Sequence, residues 1–64
     1  MTLAKFNAAY VAGSRALIRY RDPQGYLFSG YISEGVKGKG AEAHVITGAF
    51  RIPLSWIDEV EVRA

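Results

Sequence analysis

The feature that most constrains the fold of this chain is a turn followed by a β-favouring run with one internal glycine, at residues 22–32. Asp22 and Pro23 suit the first two positions of a type I turn, and Gly25 suits the position that closes it with a positive φ. Gly30 then interrupts the run, and a lone glycine in a strand typically marks a sharp bend or a close backbone approach. A small closed barrel requires such a bent strand, so this segment predicts architecture more directly than activity.

The size and composition of the chain limit how it can be stabilised. Its 64 residues predict a single domain over 1–64, and a chain this short buries only about 60% of its unfolded surface. With no cysteine and one histidine, neither a disulfide nor a zinc site is predicted. We expect no metal and no cofactor. Oligomerisation is the remaining common way to stabilise so small a domain.

Hydropathy and charge restrict the partners. No segment approaches the ~18 consecutive apolar residues of a membrane span, and Asn7 interrupts residues 1–12, which lack the basic leader of a signal peptide. The absence of cysteine is typical of a reducing compartment, so we expect a cytoplasmic protein with no membrane partner. The net charge of +2 is compatible with nucleic-acid binding without indicating it.

The remaining patterns predict one helix and five short strands. Leu3, Phe6 and Tyr10 recur at helical spacing between the capping residue Thr2 and the terminating residue Gly13, which predicts a helix at about 2–12. Alternating and β-branched runs predict strands at 15–21, 26–33, 42–47, 49–52 and 56–63. Three glycines in residues 35–40 predict a mobile loop between the second and third strands.

A short helix before a bent five-stranded barrel resembles the Sm-like fold. Sm-like proteins carry a turn glycine and then a bend glycine in their first two strands, and Gly25 and Gly30 resemble that pair. Residues 50–57, Phe-Arg-Ile-Pro-Leu-Ser-Trp-Ile, are similar to the aromatic-Lys-His-Ala-Ile-Ser-x-hydrophobic signature of the Hfq family of bacterial Sm-like RNA chaperones. Residues 6–9 resemble the apolar-Asn-Ala-apolar helix of that family. The resemblance implies a mainly β chain with a strongly bent antiparallel Sm-like (SH3-type) barrel at about 15–63.

The chain departs from the Hfq pattern where that family reads uridine. Arg51 and Ile52 stand in place of its Lys-His, so the histidine of the uridine pocket is lost. The family's base-stacking aromatic falls near Gly38, and the Asn-containing loop of eukaryotic and archaeal Sm proteins is absent. The resemblance therefore implies a phosphate contact for Arg51 and a packing or stacking role for Phe50, with the uridine pocket kept only in part.

The function that this resemblance implies is a ring-forming protein that binds single-stranded RNA or acts as an RNA-associated scaffold, and not an enzyme. The expected RNA-binding residues are Phe50, Arg51, Lys37, Lys39 and Lys5. Strand four of one subunit would pair with strand five of the next in a cyclic homo-oligomer of about five to seven subunits. The expected interface residues are Ile52, Trp56, Ile57, Val60 and Val62.

The basic and aromatic residues also fit ordinary structural roles. Lys37 and Lys39 either contact a polyanion or keep a loop solvated. Arg51 either binds phosphate or pairs with Asp58 or Glu59. The arginines of strand one either bind an anionic partner or pair with carboxylates of strand five, and they are Arg15, Arg19 and Arg21. Several aromatics either stack on bases or fill a core or interface, namely Tyr20, Tyr26, Phe28, Tyr31 and Phe50.

A second class of function is an SH3-like protein-interaction module. Residues 53–57 resemble the Pro-Ser-x-Tyr turn of SH3 domains, which bind Pro-rich peptides in aromatic grooves. The acidic loop and the paired tryptophan of those domains are missing. An enzyme is the class least supported, because the sequence has no cysteine nucleophile and no Ser/His/Asp constellation.

Overall fold

The computed structural model describes residues 1–63 and shows a mainly β protein with one short N-terminal helix and five strands. The elements are α1 Leu3–Ala9, β1 Arg15–Arg21, β2 Leu27–Ile32, β3 His44–Thr47, β4 Phe50–Pro53 and β5 Ile57–Arg63. Single 3₁₀ turns at Gly40–Glu42 and Leu54–Trp56 precede β3 and β5. In the described part of the chain, no helix has the length and apolar character needed to cross a membrane.

The five strands form two antiparallel sheets. One sheet has the order β2-β1-β5, and the other pairs β3 with β4. In the centre of the first sheet Ile18 lies opposite Gly30 on one side and Val60 on the other. Over residues 1–63 no hydrogen-bonded ladder joins the two sheets, so the observed architecture is a pair of packed sheets rather than a closed barrel.

The two sheets come together at Gly30. A Cβ atom added there would lie 2.5 Å from the Oγ1 atom of Thr47, which is the last residue of β3. Real Cβ atoms do not tolerate so short a contact, so only glycine lets β2 approach β3 this closely. The internal glycine of β2 therefore serves a close approach between the sheets, which is one of the two roles expected from the sequence.

The core lies between the sheets and beneath the helix. In β1 the alternating pattern buries Ala16 and Ile18 and exposes Arg15 and Arg19. Phe6 of α1 is fully buried and is the largest side chain in this core. The other buried residues are Ile32, Ala43, Val45, Ile52, Leu54 and Ile57. Because α1 has only seven residues, it depends on this burial rather than on its own helical propensity.

The helix is shorter than the sequence predicts. Thr2 does cap it, because its hydroxyl accepts a hydrogen bond from the Lys5 N–H at 3.2 Å. The helix ends at Ala9 instead of residue 12, since the backbone of Tyr10 is already extended. The Tyr10 hydroxyl donates to the carbonyl oxygen of Ser14 at 2.8 Å, which ties the connecting segment to the end of the helix.

Four of the five strands and one loop also differ from the predictions. β2 covers Leu27–Ile32 rather than 26–33, and β4 covers Phe50–Pro53 rather than 49–52. β3 begins at His44 rather than residue 42 because a 3₁₀ turn covers Gly40–Glu42. β5 begins at Ile57 rather than Trp56 because a 3₁₀ turn covers Leu54–Trp56. In the glycine-rich loop, Lys37 forms a β-bridge with His44 through backbone hydrogen bonds of 2.8 and 2.9 Å. This part of the loop is therefore held against β3.

Candidate functional site

An aromatic groove of about 550 Å³ opens where the two sheets meet. Its aromatic side chains are Tyr20, Phe28, Phe50 and Trp56, and we call this surface the aromatic groove. The polar side chains that line it belong to Asp22, Gln24 and Arg51. The groove therefore combines flat apolar surfaces with one acidic and one basic group.

The register of the strands builds the aromatic wall. Tyr20 of β1 lies opposite Phe28 of β2, and their rings stack with centroids 5.6 Å apart and an angle of 22°. Phe50 begins β4 directly after a turn in which Gly48 has a φ of 58°. Trp56 ends the 3₁₀ turn before β5 and packs partly against the core. Four separate elements thus converge on one concave surface.

Phe50 is the most accessible of these aromatic residues. The residue is 70% exposed, compared with 47% for Phe28. An exposed apolar ring is less favourable in water than a covered one, so a ligand that covers Phe50 gains free energy. Phe50 is therefore available for contact with a ligand.

The turn between β1 and β2 holds the acidic group in place. Gly25 has a φ of 90°, and its N–H donates to the Asp22 carbonyl oxygen at 2.9 Å. The Oδ1 atom of Asp22 accepts the backbone N–H groups of Gln24 at 3.0 Å and Tyr26 at 2.8 Å. The carboxylate consequently has a fixed position at the edge of the groove.

The basic group of the groove has no carboxylate partner in residues 1–63. Arg51 is exposed, and neither Asp58 nor Glu59 pairs with it. Those two carboxylates contact Arg21 and Arg19 instead, with N···O distances of 3.8 and 2.8 Å. The guanidinium of Arg51 is therefore available to a ligand.

The five residues expected to bind RNA do not gather in one place. Phe50 and Arg51 lie together in the aromatic groove. Lys39 lines a second groove beside the start of α1, and Lys5 is exposed on α1 and lines neither groove. Lys37 forms an ion pair with Glu34 at 2.8 Å, and this hydrogen bond and the lysine's charge lower the pKa of the Glu34 carboxyl.

The five residues expected at a subunit interface do not form one exposed surface. Ile52 and Ile57 are buried in the core of the chain itself, so their side chains offer no apolar surface to a second copy. Trp56 lines the aromatic groove, Val60 is partly buried, and Val62 is 37% exposed. The edges of β4 and β5 that face away from their sheets have no paired strand in residues 1–63.

An arginine-rich surface lies on the side of the three-stranded sheet that faces away from the core, and we call it the outer face. Arg19 pairs with Glu59 across the strands, as one of the two sequence-based alternatives predicts. Arg63 contacts Glu61 at 3.3 Å. Arg15 lies over the ring of Tyr31 with its guanidinium carbon 4.0 Å from the centroid. These arginines largely have protein partners.

The sequence did not indicate that Tyr20, Asp22 and Trp56 share a site with Phe50. The hairpin turn at 22–25 indicates only that Tyr20 lies beside Phe28, because a turn of that length places the two residues opposite each other. No local pattern relates β1 to the turn before β5.

The chain matches no family model, no curated protein and no solved structure. Within residues 1–63 no group of three or more His, Cys, Asp or Glu side chains is placed to hold a metal ion.

Proposed function

We propose that this chain is an Sm-like protein that binds single-stranded RNA in the aromatic groove. The observation that carries the proposal is the convergence of four aromatic side chains and the unpaired Arg51 on one concavity of about 550 Å³. Exposed bases stack on aromatic rings, and each stacked base contributes about 1–3 kcal/mol. A guanidinium at the same site attracts the phosphate backbone and can also stack on a base.

The Sm-like part of the proposal is supported by the order and packing of the elements. A short helix precedes five antiparallel strands, and β2 approaches β3 at Gly30, where an Sm-like barrel would bend. The free edges of β4 and β5 are each available to pair with another copy. A closed ring would repeat one weak site and convert it into strong binding of a long RNA.

A protein-interaction module is the second candidate, and the groove also supplies the observation that favours it. Pro23 and Trp56 line the groove together with three other aromatic side chains, and Arg51 is the one basic residue among those that line it. Pro-rich peptides bind in aromatic-lined grooves of this kind. The two candidates therefore compete for the same surface and can be separated by one experiment.

That experiment compares the affinity of the chain for a labelled oligouridylate and for a labelled Pro-rich peptide by fluorescence anisotropy. Phe50→Ala is expected to weaken RNA binding about tenfold or more, because it removes one stacking surface. Tyr31→Ala on the outer face is the matched control and is expected to leave the affinity unchanged. Peptide binding without RNA binding would replace the first candidate with the second.

The ring is tested separately by the native mass of the chain in solution. Light scattering after size exclusion is expected to give a closed ring of about five to seven copies, because cyclic closure pairs both free edges. A mass near that of the 7.0 kDa monomer would contradict the ring. Since Ile52 and Ile57 are buried in the monomer, Val62 is the residue at which a charged substitution, Val62→Asp, should dissociate it.

A further inference from the structure

The aromatic groove contains one fixed hydrogen-bond acceptor, the carboxylate of Asp22. Its Oδ1 atom is occupied by the two backbone N–H groups of the turn. Within residues 1–63 its Oδ2 atom has neither a hydrogen-bond donor nor a cation in contact. An ionised carboxylate only accepts hydrogen bonds. The groove therefore presents a positioned acceptor with unused capacity toward a ligand.

A group of the opposite character lines the same groove. Arg51 supplies guanidinium N–H donors, and it is not in ion-pair contact with Asp22. A carboxylate and a guanidinium that lie close enough normally form a short, often bidentate pair. Because the two groups are not paired with each other, a ligand in the groove can present donors to Asp22 and acceptors to Arg51.

Guanine is the one base that presents two adjacent donors together with two acceptors. It has adjacent donors, N1–H and the N2 amine, and it has two acceptors at O6 and N7. Contact of arginine with O6 and N7 is the commonest specific contact between a side chain and a base. A guanine stacked on the aromatic wall would direct its donors to Asp22 and its O6 and N7 atoms to Arg51.

The other three bases match the groove less well. Uracil places a carbonyl oxygen on each side of its one N–H donor, and these oxygens would face the carboxylate. Adenine and cytosine each present one amine beside a ring nitrogen that only accepts. We infer that the aromatic groove selects guanine in single-stranded RNA and that Asp22 determines this selection. The inference rests on the proposed RNA-binding function and adds the identity of the base.

The test measures the binding of the 64-residue chain to oligouridylates that carry one central guanine, adenine or cytosine, with the all-uridine parent as the reference. Guanine is expected to increase the affinity about tenfold, because a hydrogen bond to a charged group distinguishes ligands by at least that factor. Adenine and cytosine are expected to increase it less. Fluorescence anisotropy at one fixed salt concentration gives all four affinities.

Asp22→Asn is the matched variant for this experiment. Asparagine keeps an acceptor oxygen for the N–H groups of Gln24 and Tyr26, but it places an amide donor where Oδ2 stood. The variant is expected to lose the preference for guanine, so that the guanine oligonucleotide binds it no more tightly than the all-uridine parent does. Thermal unfolding of the variant, compared with the original chain, verifies that the turn is intact.

Three results would contradict the inference, and they have different consequences. If all four oligonucleotides bind equally and Phe50→Ala weakens each of them, base selection is absent but the proposed function stands. If guanine remains preferred in Asp22→Asn, Asp22 does not determine the selection. If the original chain binds none of the oligonucleotides, the proposed function fails and the inference fails with it.

Discussion

Arginine and aromatic side chains meet at two places in this molecule, and the two places differ in what surrounds the arginine. On the outer face, Arg19 lies 2.8 Å from Glu59, and Arg15 lies over the ring of Tyr31. In the aromatic groove, Arg51 stands beside four aromatic residues, and no carboxylate of residues 1–63 pairs with it. Composition alone would not distinguish these surfaces.

The difference between the two surfaces follows from the geometry of the sheets. On the outer face the residues of β1 have cross-strand neighbours in β5, so carboxylates of β5 reach its arginines. Arg51 lies on β4, which pairs only with β3, and its direct partner there is the apolar Ile46. An anion that binds Arg51 displaces no protein partner, whereas an anion on the outer face must compete with existing ion pairs.

The largest expected effect comes from disrupting the close approach of the two sheets at Gly30. Gly30→Val places a branched side chain against Thr47, and we expect it to destabilise the chain by about 3 kcal/mol, as overpacking does. Because the change separates β2 from β3, it should also abolish the RNA binding of the molecules that remain folded. Urea unfolding measures the first effect, and anisotropy measures the second.

Ser29→Val is the control for Gly30→Val. Ser29 lies on the same strand but is exposed on the outer face opposite Arg19, so a β-branched residue there is tolerated. Thr47→Ala combined with Gly30→Val should recover part of the lost stability, because residues in contact do not act additively. Equal destabilisation by the two valine substitutions would mean that the contact between the sheets does not explain the role of Gly30.

The local features of this fold could be predicted from sequence because each depends on neighbours in the chain. The alternating pattern of β1 and the turn at 22–25 are such features, and the structure contains both. The helix ends earlier than the spacing predicts, since Tyr10 continues the helical spacing but already has an extended backbone. Its hydroxyl donates to the carbonyl oxygen of Ser14, four residues away, and the spacing pattern does not reveal this hydrogen bond.

The candidate site was harder to predict because it forms from residues far apart in sequence. Phe50 and Arg51 were singled out by a resemblance, but their grouping with Tyr20, Asp22 and Trp56 depends on how the two sheets pack. The sequence shows that Ile52 and Ile57 are apolar, but it does not show whether the core of the chain or a second copy buries them. The structure shows that the core of the chain itself covers both side chains.

A smaller effect is expected from removing one arginine at each of the two surfaces. Arg51→Ala should weaken RNA binding about tenfold and reduce the slope of log affinity against log salt by about one phosphate contact. Arg19→Ala removes the same charge from the chain, but it breaks an exposed ion pair that contributes about 0–1 kcal/mol, so RNA affinity should change little. Anisotropy titrations at several salt concentrations give both quantities. Equal losses in the two variants would mean that net charge, rather than the groove, governs binding.

The smallest expected effect concerns Lys37, which was predicted to bind RNA but pairs with Glu34. The lysine lowers the pKa of Glu34 from its ordinary value of 4.5, so the pair stabilises the folded state above that value. The stabilisation is lost as the pH falls through the lowered pKa of the folded chain. Glu34→Gln should therefore be slightly less stable than the original chain at neutral pH and equally stable in acid, which urea unfolding at the two pH values can measure. The same variant frees the Lys37 amine, so a large gain in RNA affinity would show that this lysine resembles Arg51 rather than the paired arginines of the outer face.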